Sequence, residues 1–209
     1  MMLLLFYILA AVILLYSIIL HELAHAFAAD KLGDPTAKHE GRLTLNPIPH
    51  LDPVGTILPL LLMLSSSPVV FGWARPVPIN PYNFREMKKG ILIVSAAGVA
   101  ANLFIAWALA TIFKFMPPIV LSDQFLVSVI GFAVRMNVVL AVFNLIPIPP
   151  LDGSKILFSL LPGEHGETIY FLEKYGFFIL LFILVFPPTA LLISSMIDYV
   201  YGLLMLSIF

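Results

Sequence analysis

The spacing of the charged residues constrains this chain more than any other feature. Residues 1–20 carry no charged side chain, and further apolar runs lie at 53–74, 90–113, 124–151 (interrupted by Arg135), 175–197 and 199–209. A hydrocarbon core about 30 Å thick is crossed by about 20 apolar residues as a helix, which satisfies its own backbone in lipid. Pro187-Pro188 divides the last stretch into helices near 168–186 and 189–208, because proline removes a donor and clashes with the preceding turn. The reading is an all-α polytopic membrane protein with five to six transmembrane helices. The sixth, 54–71, is broken by Pro59, Ser65-Ser66-Ser67 and Pro68.

Composition removes the other classes. The 209 residues are 61% hydrophobic and 11% charged, against about 25% charged in a soluble domain. A chain this size cannot bury so much apolar surface in its own core, so a soluble enzyme, a coiled coil and a disordered chain are excluded. A net charge of −1 offers no basic face for nucleic acid. The absence of cysteine excludes disulfides, thiolate catalysis and cysteine-ligated metal. No Lys or Arg precedes Lys31, so a cleaved signal peptide is not expected.

Three polar segments separate the apolar runs. Within 31–52, the alternation Gly41-Arg42-Leu43-Thr44-Leu45-Asn46 predicts a short membrane-associated β-hairpin arm. Prolines 76, 78 and 81 predict an extended 72–89. The segment 153–167 predicts a short interfacial helix with a turn at Pro162-Gly163. No repeat or separate soluble domain is apparent, so 1–209 reads as one integral membrane domain, with a core at 1–160 and a helical pair at 168–208.

His21-Glu22-Leu23-Ala24-His25 closes the first apolar run. At about 100° per residue, the two imidazoles lie one turn apart on one face and can reach one ion. Glu22, one step round, can take a proton from water at that ion. The helix continues apolar to Asp30, about 13 Å further, which puts the trio below the interface, where ionisable groups are costly and read as functional. A third ligand is needed. Ala28 and Lys31 stand where HExxHxxGxxH would need its glycine and third histidine. Glu40, His39, His50 and Asp52 are candidates. Asp152 ranks first because Asn144–Gly153 (NLIPIPPLDG) is a proline-broken stretch ending a span, and broken backbone at membrane depth lines protein or a wet cavity.

The pair of motifs resembles the site-2 proteases, the intramembrane zinc metalloproteases. HELAHA on the first helix and NLIPIPPLDG on a later one carry the resemblance over nearly the whole chain, and Gly98-Val99-Ala100-Ala101-Asn102 matches the family's GxxxN-type motif. The segments NPIPHLDPVG and GWARPVPINP look like a compact branch without PDZ or CBS domains. The resemblance implies one zinc ion held by His21, His25 and Asp152, Glu22 as catalytic base, and Asn144 positioning the substrate peptide or its oxyanion. It also implies single-span membrane proteins as substrates. A membrane metal-ion or small-solute transporter is the alternative, since intramembrane His and Asp with broken helices also mark ion paths.

Topology follows from parity. For the ends of the two motif helices to meet, an odd number of crossings must separate them, so 54–71 is expected to be re-entrant. Arg75, Arg85, Lys88 and Lys89 then share a side with Lys31, Lys38 and Arg42, which is cytoplasmic by the positive-inside rule. The expectation is a multi-pass protein of the cell membrane, with its N-terminus outside and its active site near the cytoplasm. Arg135 and Asp198 lie within spans, either paired or in an aqueous vestibule.

Overall fold

A computed structural model of the chain describes residues 1–55, 57, 61, 74–163 and 166–206. Its α-helices are α1 (Met2–Lys31), α2 (Thr36–His39), α3 (Met87–Lys114), α4 (Pro118–Leu121), α5 (Gln124–Asn144), α6 (Asp152–Leu160), α7 (Gly166–Val185) and α8 (Pro187–Leu206). Short 3₁₀ turns occupy Ile48–His50 and Pro81–Asn83. Among the described residues five helices, α1, α3, α5, α7 and α8, are long and apolar enough to cross a membrane. The protein is therefore a multi-pass membrane protein. The break before Pro187 falls where the proline pair puts it, and proline at a first helical position keeps its missing donor harmless.

α3 is the central helix and packs against α1, α5, α6 and α8. Its Ala106 and Ala110 meet Val134, Val138 and Val142 of α5, and Ile197 and Val200 of α8 close over them. In lipid the attraction between helices comes from close packing, so small side chains on the shared helix draw its neighbours in. Arg135 of α5 and Asp198 of α8 form an ion pair at 2.7 Å, each side chain about half exposed.

α1 has 30 residues, about 45 Å of helix, so it outruns the hydrocarbon core. Its end is fixed by local chemistry. Gly33 takes φ +106°, and its amide bonds Asp30 O at 3.3 Å while the Asp34 amide bonds Ala29 O at 2.9 Å. This paired closure needs a left-handed residue after the cap, which glycine supplies. Asp34, 1% exposed, then gathers the next segments. It accepts from the Asn80 amide at 2.7 Å, the Asn83 side chain at 2.7 Å and the Thr36 amide at 3.2 Å, and also from the Thr36 hydroxyl. Burial pushes its carboxyl up, and these donors outweigh burial and hold it below the usual carboxylate range.

Of the segment 72–89, expected to be extended, 74–80 carries neither helix nor strand and is tied at several points, whereas Pro81–Asn83 forms a 3₁₀ turn and α3 already starts at Met87. The Arg75 amide donates to His50 O at 2.9 Å, and buried Arg42 donates from Nη2 to Arg75 O at 2.6 Å and Pro76 O at 3.3 Å. The hairpin arm expected at 41–46 is corrected: no strand is present among the described residues. Thr44 Oγ1 accepts from the Asn46 amide, Asn46 Oδ1 accepts from the Ile48 amide, and His50 Nε2 donates to Thr44 O at 2.9 Å. Side-chain oxygens take the amides that a β-ladder would have used. The segment 54–71, expected to be re-entrant, lies outside the described residues except for 54, 55, 57 and 61.

Candidate metal centre

His21 and His25 both face α3, where Gly98 makes room for them. A Cβ on Gly98 would stand 2.5 Å from His25 Nε2 and 2.6 Å from His21 Cε1, so any larger residue displaces a ring. Asp152 arrives from the other motif as the first residue of α6, after an extended Leu151. A Cβ on the following Gly153 would stand 2.3 Å from Leu145 O. The turn out of α5 therefore closes only over glycine, and that closure sets the carboxylate against α1.

The three side chains converge on one point. Asp152 Oδ2 lies 3.1 Å from His21 Nε2 and 3.0 Å from His25 Nε2, and the two Nε2 atoms are 3.0 Å apart. All three residues are buried. Their remaining nitrogens fix the tautomers. His25 Nδ1 donates to Val94 O at 2.7 Å, and a carbonyl can only accept. His21 Nδ1 donates to Asn102 Oδ1 at 2.6 Å; Asn102 is oriented because its amide donates to Asn137 Oδ1 at 3.0 Å and Ser17 O at 3.4 Å. With the Nδ1 positions donating, each ring in its neutral form turns an Nε2 lone pair toward the carboxylate oxygen. Three acceptors in such contact, away from water, call for a cation. Tetrahedral zinc with two imidazoles and a carboxylate separates its ligand atoms by about 3.3 Å, within a few tenths of an ångström of the spacing here. The Asp152 carboxylate also has a side-chain cation from its own helix nearby. Lys155 Nζ stands 3.6 Å from its Oδ1.

Behind His21 runs a buried chain of polar groups that the sequence only partly disclosed. Asn102 stood out through its GxxxN run, whereas Asn137 and Ser17 did not. Asn137 Nδ2 donates to Ser17 Oγ at 3.0 Å and to Ala133 O at 2.9 Å. The available signal was a polar amide or hydroxyl inside an otherwise apolar span.

Glu22 Oε2 accepts from the Val77 amide at 2.8 Å. Together with His21, His25, Asp152 and Asn144 it lines a cavity of about 260 Å³. Asn144 Nδ2 donates to Leu140 O at 3.0 Å. The other candidate ligands lie elsewhere. His39 and Glu40 are exposed, His50 is turned to Thr44, and Asp52 accepts from the Gly55 amide at 2.7 Å. Among the described residues, the three-donor group is His21, His25 and Asp152. Leu43, Thr44 and Leu45 sit against Leu20, Leu23 and Phe27 on a different flank of α1.

Paired imidazoles from an HExxH helix, completed by a distant carboxylate in an apolar bundle, define a membrane metallopeptidase. The family model described as peptidase family M50 matches residues 119–186, the part of the chain holding Asn144 and Asp152. YwhC of Bacillus subtilis, assigned as a zinc metalloprotease, is 42% identical over 183 residues, covering 83% of this chain and 78% of its own. Rip2 of Mycolicibacterium smegmatis, likewise assigned, is 33% identical over 83% of this chain and 65% of its own. No solved structure matches. The chain belongs to peptidase family M50 and is a zinc metalloprotease.

Proposed function

We propose that this protein is an intramembrane zinc endopeptidase that cuts single-span membrane proteins in or near their transmembrane segments, as a step of regulated intramembrane proteolysis. The observation that carries the reading is the convergence of Asp152 Oδ2 on His21 Nε2 and His25 Nε2 of the apolar helix α1, with Glu22 and Asn144 on the same cavity. In this reading His21, His25 and Asp152 hold zinc. Zinc bound there supplies Lewis-acid chemistry, polarising a peptide carbonyl and lowering the pKa of water toward about 7.

The remaining steps belong to the chain's own groups. The Val77 amide holds Glu22 Oε2, leaving Oε1 to take the proton of the attacking water and return it to the leaving amine. The Asn144 carboxamide, which lines the same cavity, orients the substrate carbonyl and steadies its oxyanion. The basic residues Lys31, Lys38, Arg42, Arg75, Arg85, Lys88 and Lys89 cluster in the segments at this end of α1 and α3, which supports a cytoplasmic location for the site and an external N-terminus in the cell membrane.

The test compares purified wild type with Glu22→Gln, measuring bound zinc and cleavage of a transmembrane reporter. Zinc in both proteins with cleavage by wild type alone is expected. Zinc without cleavage in either points instead to an ion- or solute-transporting role.

A further inference from the structure

Beside the metal cavity lies a larger groove of about 780 Å³, between the start of α3, α6 and the start of α7. Its apolar walls come from Met87, Ile91, Phe158, Ile169 and Phe177, and its charges from Lys88, Lys155 and Glu173. Pro76, Ile91, Pro150 and Lys155 line both spaces, so the groove begins where the metal cavity ends. The volume lies in the range of about 300–1,000 Å³ that encloses drug-sized ligands, enough for several side chains.

A peptide bond held at the metal cavity needs room for the residues that flank it, and about 260 Å³ is too small for more than the immediate neighbours. Two other clefts among the described residues compare poorly. The one walled by Leu20, Phe27 and Leu45 shares no residue with the metal cavity. The one between the end of α1 and the start of α3 shares Phe84 alone and carries Asp30, Lys31, Arg85, Glu86 and Lys89, a lining that repels an apolar chain. The groove alone among these combines a common wall with an apolar lining.

We propose that this groove binds the substrate residues on one side of the scissile bond: an unwound apolar segment at the end of a membrane span, with its first charged flanking residues against Lys88, Lys155 and Glu173. The proposal rests on the endopeptidase reading and deepens it. It makes the groove a selector for a few consecutive apolar side chains followed by polar residues, which is the composition of a span at its boundary with water.

The absence of native cysteine makes disulfide capture selective. Full-length Glu22→Gln protein carrying Ile169→Cys, or Leu45→Cys as control, is mixed in phosphatidylcholine vesicles with a leucine–alanine transmembrane peptide bearing one cysteine at successive positions. Capture at a few adjacent peptide positions by Ile169→Cys, and none by Leu45→Cys, is expected. No capture at Ile169→Cys means that lipid chains fill the groove and overturns the proposal, as does equal capture at both sites. A kinetic arm uses zinc-loaded protein with Phe158→Trp, and Met87→Trp in case the first misfolds. Filling the groove should raise KM for the transmembrane reporter by at least about tenfold, and by more than it raises KM for a short soluble peptide; an unchanged KM for the reporter overturns the proposal. If wild type cuts neither probe, the endopeptidase reading fails, and the capture pattern still decides whether the groove binds apolar peptide.

Discussion

At the scale of single residues, the group of His21, His25 and Asp152 depends on side chains that lie outside it. Asn102 holds the His21 ring through Nδ1, and is itself held by Asn137 and Ser17. Removing such an outer partner loosens a ligand by roughly 10–100-fold in metal affinity. Asn102→Ala should therefore raise the zinc dissociation constant by about that factor, measured by chelator competition, and Asn137→Ala by less; an unchanged constant for Asn102→Ala would show that the bond does not orient the ring. Asp34 is a second such residue, remote from the chemistry. Its carboxyl is depressed below an unfolded value near about 3.9, so its stabilisation is present above that pH and is lost as pH falls through the folded value. Asp34→Ala should cost roughly 1–3 kcal/mol at neutral pH, and the gap from wild type should narrow progressively as pH falls below the unfolded value. A gap independent of pH would rule out the ionised carboxylate as its source. Neither network was readable as a whole in advance, because its long-range bonds span 35 to 120 positions and most members look ordinary in their own windows.

At the scale of elements, spans and breaks were the legible part. A helix in lipid is announced by charge-free length, and its end by proline or glycine, so α1, α3, α5, α7 and α8 follow from composition in windows. The HExxH turn and the LDG step were legible for the same local reason. The segment 41–46 misled because alternation is only a weak rule when Thr44 and Asn46 can bond nearby amides and close turns instead. The Arg135–Asp198 pair lay between two readings, and it is formed and half exposed, joining α5 to α8 within their spans. A lone arginine at mid-span costs on the order of 3 kcal/mol. Asp198→Leu alone should thus lower the melting temperature in detergent more than the double variant Arg135→Leu/Asp198→Leu does. The reverse order would mean that the pair contributes little to how the two helices dock.

At the scale of the whole molecule, five crossings, the number expected with 54–71 re-entrant, would put the chain's two ends on opposite faces, with the basic segments gathered at the metal-bearing end of α1. Reporters fused at Met1 and after Phe209 should label outside and inside respectively. Labelling on one side only would mean an even number of crossings, with 54–71 passing through. What joins this architecture to the chemistry is a single main-chain contact, Val77 amide to Glu22, spanning 55 positions. Because a peptide nitrogen makes it, side-chain exchange at position 77 leaves the donor in place, and only proline deletes it. Two chains with identical signature residues can therefore differ in how firmly their acid is aimed, through nothing more than the path of an unremarkable loop.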